Sequence, residues 1–336
     1  MVNDGRWRAA CLIWCRMATV ALAVTTTPAT ALELDLPIAC TPGSDCWVVR
    51  LPDHDPSQAF ADHRCGRLGS DGHDGTDFAI ADARRMAGGV PVLAAAAGSV
   101  RSVRDGVPDQ PAEGRLAHAF GERNCGNGVV LAHPDGWETQ YCHMRRGSVR
   151  VATGDHVAKG EILGLVGMSG EANFPHVHLS VRHAGVTMDP FTGGPLETAC
   201  GDRGVPLWPA DLLDRLAYLE VPIAVVGLTD HLPDRDAIVA GTAGAASTTA
   251  APALVAYALA YGLQAGDRLS LSILAPDGTQ VSDAAFTMDA DADRVTRAAG
   301  RRRPPAGWPA GIYRVEVTVR RGEGSFTRSA TYPLAQ

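Results

Sequence analysis

Asn173-Phe174-Pro175-His176-Val177-His178-Leu179-Ser180-Val181 is the run on which the reading of this chain turns. It alternates in character from His176 onward and starts just after a proline, so it reads as a strand. Successive side chains of a strand point to opposite faces. His176, His178 and Ser180 therefore share one face, and Val177, Leu179 and Val181 the other. Two imidazoles on one face stand roughly 7 Å apart at Cα, from a rise of about 3.4 Å per residue. That spacing lets one bind a metal while the other faces the ligand that the metal activates.

A second run lies far upstream: Gly72-His73-Asp74-Gly75-Thr76-Asp77. A straight strand would hold His73 and Asp77 roughly 13 Å apart, too far to share one ion. Asp-Gly in the middle argues against a helix and for a turn. A turn or bulge at Asp74-Gly75 folds the two side chains towards one point. Two histidines and an aspartate supply three nitrogen and oxygen ligands and leave a fourth position for water. That is the open coordination of a catalytic zinc site, not the closed one of a structural site.

The 336 residues suffice for two domains, each with its own core. An apolar fraction of 46% and a charged fraction of 20% are those of an ordinary soluble globular protein. The net charge of −7 argues against nucleic acid as a partner, since such proteins carry a basic footprint. Arg6, Arg8 and Arg16, the short apolar run Met17 to Val24 and the small-x-small triplet Ala29-Thr30-Ala31 read as an export signal over 1–31, cleaved after Ala31. The apolar run is too short for a permanent membrane span. The expected location is therefore periplasmic or secreted.

Of eight cysteines, Cys11 and Cys15 leave with the signal. The six that remain favour disulfides in an exported chain. Cys40 and Cys46 close a small loop around Pro42-Gly43. Cys125 and Cys142 flank an expected hairpin whose Pro134-Asp135-Gly136 turn brings them nearly opposite. Cys65 and Cys200 are left to tie the start of a domain to its end.

Leu32 to Phe60 reads as an irregular wrap and Ala81 to Gly89 as a loop. Short strands punctuated by glycine follow: Asp77–Ile80, Val90–Ala94, Gly98–Val103, Gly128–His133, Trp137–Met144 and His176–Arg182. Arg104 to Arg123 is polar and reads as a long loop of the functional kind. Residues 206–222 read as a linker with a short helix. Ala240 to Pro252 reads as a loose loop. Strands are expected again at Ala253–Gly262, Arg268–Leu274, Gly311–Val319 and Ser325–Tyr332, a spacing that suggests a β-sandwich. The chain thus divides into the signal (1–31), a body that carries both histidine runs (32–205), the linker (206–222) and an accessory sandwich (223–336). The sandwich carries no candidate chemistry and is open to contact with cell wall or protein.

With those residues placed, the chain resembles the M23 family of zinc metallopeptidases, the lysostaphin and LytM type, over roughly Gly72 to Pro190. The matching motifs are His73 to Asp77, Gly98 to Val103 loosely, Tyr141-Cys142-His143, Gly154-Asp155-His156-Val157-Ala158-Lys159-Gly160, Gly164 to Gly167, and His176-Val177-His178. The resemblance implies an all-β fold: an antiparallel-sheet catalytic domain with its site in an open groove, followed by an immunoglobulin-like β-sandwich. It implies one zinc ion per chain on His73, Asp77 and His178, with His143 and His176 beside the bound water and substrate. It also implies peptidoglycan peptides as the substrate. Val177 stands where members commonly have leucine, and it points away from the site.

Zinc would bring the pKa of its water near 7 and polarise the scissile carbonyl. An imidazole titrates in the range needed to take the proton or steady the oxyanion. His133 ends a strand at a turn. His54, His63, His118, His156, His183 and His231 read as loop or surface residues. Cys142 beside His143 does not make a nucleophile pair, since neighbouring strand residues face opposite ways. Gly167-Met168-Ser169-Gly170 fails G-x-S-x-G, so a serine hydrolase is not supported. The glycine-spaced run near Gly154 also resembles biotinyl and lipoyl carrier domains, but no suitable lysine stands at a hairpin tip. The remaining alternative is a catalytically silent LytM-like activator of another cell-wall hydrolase.

Overall fold

The computed structural model describes residues 1–2, 32–109, 124–201 and 204–336. Nearly all of the expected signal lies outside the described residues, as do His118 and the part of the 104–123 loop beyond residue 109. Ala31–Gln336 form one compact unit. No helix among the described residues is long and apolar enough to cross a membrane.

The first half is built on one antiparallel sheet. Its strands are β1 (Cys46–Arg50), β2 (Thr76–Ile80), β4 (Gly98–Arg104), β5 (Asn127–Ala132), β6 (Trp137–Met144), β7 (His156–Val157), β9 (His176–His183) and β10 (Val186–Met188), while β3 (Pro91–Leu93) and β8 (Ile162–Leu165) pair separately. The order across the sheet is β1-β2-β9-β6-β5-β4-β7, with β10 on the free stretch of β9. This order sets the two histidine runs side by side: Asp77 of β2 pairs with His178 of β9, which pairs with Cys142 of β6. One face of the sheet is core. Phe78, Ile80, Leu131, Tyr141, Val177, Leu179 and Val181 are all buried there. The core is completed by Leu207 and Trp208 and by Leu212 and Leu216 on and just after α2 (Ala210–Arg215), counting α1 as Ala83–Ala87.

The second half has seven more strands: β11 (Ile223–Thr229), β12 (Ala253–Leu263), β13 (Arg268–Leu274), β14 (Gln280–Thr287), β15 (Ala292–Arg302), β16 (Gly311–Arg321) and β17 (Gly324–Leu334), with α3 (Arg235–Ala240) after β11. They form a three-stranded sheet β11-β12-β15 and a four-stranded sheet β14-β13-β16-β17. Leu254, Ala256 and Ala258 of the first face Leu269, Leu271, Val315 and Val317 of the second across a shared core. The architecture is therefore all-β, an antiparallel sheet followed by a sandwich.

The structure departs from the sequence reading in several places. Cys46–Arg50 is a strand, not irregular wrap, because Trp47 and Val49 bury against the second half. Ala83–Ala87 is a short helix, begun by Asp82 Oδ1, which accepts from the Arg85 amide at 2.7 Å. Five residues are too few to show a helical period. Ala240 to Pro252 is not loose: Ala243, Ala246 and Ala251 are buried, and the Ala246 amide donates to the Leu228 carbonyl. Strands β11, β14 and β15 had no reading of their own. All three disulfides are present: Cys40–Cys46, Cys65–Cys200 and Cys125–Cys142.

Candidate metal centre

The face of β9 opposite the core carries His176, His178 and Ser180, as alternation demands. Asp77 stands beside them on β2, its side chain 1% exposed. His73 arrives from the turn before β2. Gly75 lets that turn lie on the sheet: a Cβ there would sit 2.5 Å from His178 Nε2 and 2.6 Å from the Leu179 carbonyl oxygen. The result is that three imidazoles converge on Asp77 Oδ1. His178 Nδ1 is 2.8 Å away, His73 Nε2 3.2 Å and His176 Nε2 3.6 Å.

His143 comes from the end of β6, by a route that alternation does not foresee. Asn127 pairs with Met144 and Val129 with Tyr141, so Cys142 and His143 together oppose Gly128. This is a two-against-one bulge. His143 adopts a left-handed backbone, φ 60°. Cys142 and His143 consequently both line the groove, where a regular strand would have sent them to opposite faces. A Cβ on Gly128 would lie 2.5 Å from the Tyr141 carbonyl oxygen, so the bulge requires glycine across from it.

Hydrogen bonds settle which ring nitrogen faces the groove. His73 Nδ1 donates to the Leu51 carbonyl at 2.9 Å, His143 Nδ1 to Ser169 at 2.8 Å, and His176 Nδ1 to Phe174 at 2.8 Å. In each the neutral ring then offers Nε2 as a lone pair. His178 is reversed: Nδ1 faces Asp77, and Nε2 lies 3.1 Å from Asp74 Oδ1 and 2.9 Å from Ser180 Oγ. His73, Asp77 and His178 bring one ligand atom each within 4.8 Å of one another. The donor set of two nitrogens and one carboxylate oxygen suits zinc. Crowding of three rings on one buried oxygen is better satisfied by a divalent cation than by shared protons.

The electrostatics agree. Burial works to raise the pKa of Asp77, but the charges of His73 and His176 and the hydrogen bonds of His178 and His73 hold it well below the usual carboxylate range. Burial works against a charged His178, yet its bonds to Asp74 and Asp77 raise it to about 9. A cation bound there would displace that proton. Burial pushes His176 down to about 4 and His143 well below the ordinary imidazole value. Both are therefore neutral at pH 7, with a base nitrogen free.

These residues floor an open groove of about 770 Å³. Its rim includes Arg50, Asp74, Glu171, Arg182 and Asp293. Asp74, Arg50 and Asp293 were not singled out from sequence. Asp74 sits inside the first histidine run, where a carboxylate within reach of the second run was a readable signal. Arg50 and Asp293 belong to strands that had not been assigned. Of the remaining histidines, His156 and His231 are exposed as expected. His54 is not a surface residue: it is buried, with Nε2 2.9 Å from Asp189 and Nδ1 2.8 Å from the Thr198 carbonyl. His133 is buried too, between the Ala97 carbonyl and Thr139.

Residues 71–190 match the profile of Peptidase family M23. Over 79 residues, 23% of this chain, the protein is 37% identical to the cell division protein DipM of Caulobacter vibrioides, covering 13% of it. Over 106 residues, 32% of this chain, it is 31% identical to the peptidoglycan DD-endopeptidase ShyA of Vibrio cholerae, covering 19% of that protein. It thus spans less than a fifth of the length of either relative. Among solved structures it is similar to a mutant catalytic domain of the prophage-encoded M23 protein EnpA of Enterococcus faecalis, with 24% identity, a TM-score of 0.30, and 46% of this chain and 88% of that one covered. The stretch from residue 71 to residue 190 is a domain of peptidase family M23.

Proposed function

We propose that this protein is a zinc-dependent endopeptidase that cleaves peptide crosslinks or stem peptides of bacterial peptidoglycan. The observation that carries the reading is the convergence of His73 Nε2, Asp77 Oδ1 and His178 Nδ1 within 4.8 Å, on the floor of an open groove. His73, Asp77 and His178 would hold one zinc ion. Zinc bound there supplies Lewis acidity, activating water and polarising a carbonyl. The Leu51 carbonyl fixes the His73 tautomer, and Asp74 and Ser180 brace His178 from behind.

His143 and His176 are the acid–base pair. Their rings are 4.6 Å apart, and each donates Nδ1–H to a backbone carbonyl. Each therefore keeps Nε2 free to accept a proton at the scissile bond and return it to the leaving amine. Their depressed pKa values keep both in the base form at neutral pH. Three disulfides suit an oxidising, exported location, periplasmic or secreted. We read residues 32–205 as the peptidase domain, 206–222 as its link and 223–336 as an accessory sandwich.

The test is digestion of peptidoglycan sacculi by the purified protein, with and without a chelator, the products read by mass spectrometry. Chelator-sensitive release of peptides is the expected result, and the masses name the bond. No release by a zinc-loaded protein would overturn the enzyme in favour of an activator of another hydrolase.

A further inference from the structure

The sandwich reaches the groove. Asp293, at the start of β15, lines it together with Arg50 of β1, and Arg50 Nη2 lies 2.5 Å from Asp293 Oδ2. The contact continues behind His176. Residues 170–175, which lead into β9, belong to no strand of their own. Phe174 in that lead-in is buried and stacks on His176, centroid to centroid 4.4 Å at 30°. Phe174 also meets Tyr261 of β12, ring centroids 5.1 Å apart. Arg294, next to Asp293, donates from Nη1 to the Asn173 carbonyl at 2.5 Å. Arg50 completes the clamp, its guanidinium 5.6 Å from the centre of the Phe174 ring. Beneath these contacts the two halves share a core: Trp47, Val49, Ala79 and Phe174 pack with Ala224, Leu259 and Tyr261.

We propose that the C-terminal sandwich is a positioning part of the catalytic centre, with Tyr261 and Arg294 as the residues that hold His176 in place through Phe174 and Asn173. This rests on the peptidase reading above, in which His176 acts at the scissile bond. The argument is mechanical. His176 takes its tautomer from the Phe174 carbonyl and its ring plane from the Phe174 ring. Phe174 takes its own place from Tyr261. Removing the Tyr261 ring opens space into which Phe174 relaxes, and the imidazole loses both constraints together. Of the metal ligands, Asp77 and His178 are a register pair of β2 and β9, and His73 is tied to the Leu51 carbonyl, so none of the three takes its ring or carboxylate position from Phe174.

The experiment compares full-length wild type, Tyr261→Ala, Tyr261→Phe and Arg294→Met. It reads zinc content, kcat and KM on crosslinked peptidoglycan peptides, and the His176 imidazole by nitrogen-15 NMR. Tyr261→Ala should keep its zinc and its KM and lose kcat by about 100-fold, the cost of a misplacement near 1 Å. Its His176 signal should shift from a single Nδ1–H tautomer to an average. Tyr261→Phe, which keeps the ring, should restore both. Arg294→Met should follow Tyr261→Ala in direction, and it carries the test if Tyr261→Ala does not fold. Wild-type kcat and an unchanged His176 signal in the folded variants would overturn the proposal. If wild type itself cuts nothing, the peptidase reading falls, and the His176 signal alone decides whether the sandwich positions that ring.

Discussion

Both halves of the molecule are antiparallel β, yet they use alternation differently. In the sandwich, β16 alternates buried Tyr313, Val315, Val317 and Val319 with outward Arg314, Glu316, Thr318 and Arg320, and water takes the polar set. In the first sheet, β9 buries both sets: Val177, Leu179 and Val181 in the core, His176, His178 and Ser180 beneath the groove. Burying polar groups costs free energy unless they are paired. The first sheet pairs them with one another and with backbone carbonyls, and the outcome is a cluster that a cation fits. A polar strand face kept from water, not a strand as such, marks where the chemistry lies.

The largest effect that separates the halves comes from deleting one side chain in each. His178→Ala should abolish zinc binding and reduce turnover to background, with little change in the fold of the sandwich. Leu271→Ala, in the sandwich core, should cost about 2–5 kcal/mol of stability by cavity formation and leave zinc content at one per chain. Metal analysis and thermal unfolding on the two variants check the pair. A zinc-free Leu271→Ala protein that remains folded would break the comparison.

His143 gives the next effect. His143→Ala should retain zinc and lose about 10²–10⁴-fold in kcat, the range for a general acid–base group. Its left-handed backbone adds a stability signature. A left-handed non-glycine residue costs about 1–2 kcal/mol, so His143→Gly should be more stable than His143→Ala by about 1 kcal/mol, against the usual order. Paired unfolding curves read this directly. Equal stability would mean that the bulge relaxes once the imidazole is gone.

How much of this was legible follows from these residues. Alternation along β9 and the Asp-Gly turn before Asp77 identified the converging ligands, because a period of two and a turn signal are local. The bulge at His143 was not local: it arises where Gly128 on the neighbouring strand admits two residues against one. Arg50 and Asp293 were hidden because β1 and β15 lack a clean apolar period. β1 buries residues on both faces, and β15 carries arginine and aspartate among alanines. The burial of His54 depends on Asp189, a long-range partner that no short window contains.

Asp74→Asn tests a smaller link within the first sheet. Asp74 is held at about 2: burial works to raise it, and the bond with His178 and the charges of His178, His73 and Arg182 outweigh that. Its carboxylate orients His178 from the nitrogen that faces away from Asp77. Removing the charge should weaken zinc binding by about 10- to 100-fold, the usual size for such a partner. Competition against a zinc indicator measures it, and an unchanged affinity would reduce Asp74 to a rim residue.

The smallest effect concerns a histidine that shares the pattern without the function. His133 donates from Nδ1 to the Ala97 carbonyl at 2.7 Å, as the groove histidines do to theirs, but its Nε2 lies 2.8 Å from Thr139 Oγ1. Its second nitrogen is thus spent on the protein, and it belongs to no metal-ligand set among the described residues. Burial depresses its pKa below 6.5, more than its carbonyl bond compensates. An unfolded His133 therefore takes up a proton below pH 6.5 that the folded one resists. Its contribution is flat above pH 6.5 and is lost as the pH falls below that value, with a slope of at most about 1.4 kcal/mol per pH unit. The stability gap between wild type and His133→Gln should accordingly narrow from pH 7 to pH 5 with no change in zinc affinity at pH 7. A gap that does not move with pH would mean that the folded ring accepts the proton, and that a satisfied Nε2 does not distinguish a structural histidine from a working one.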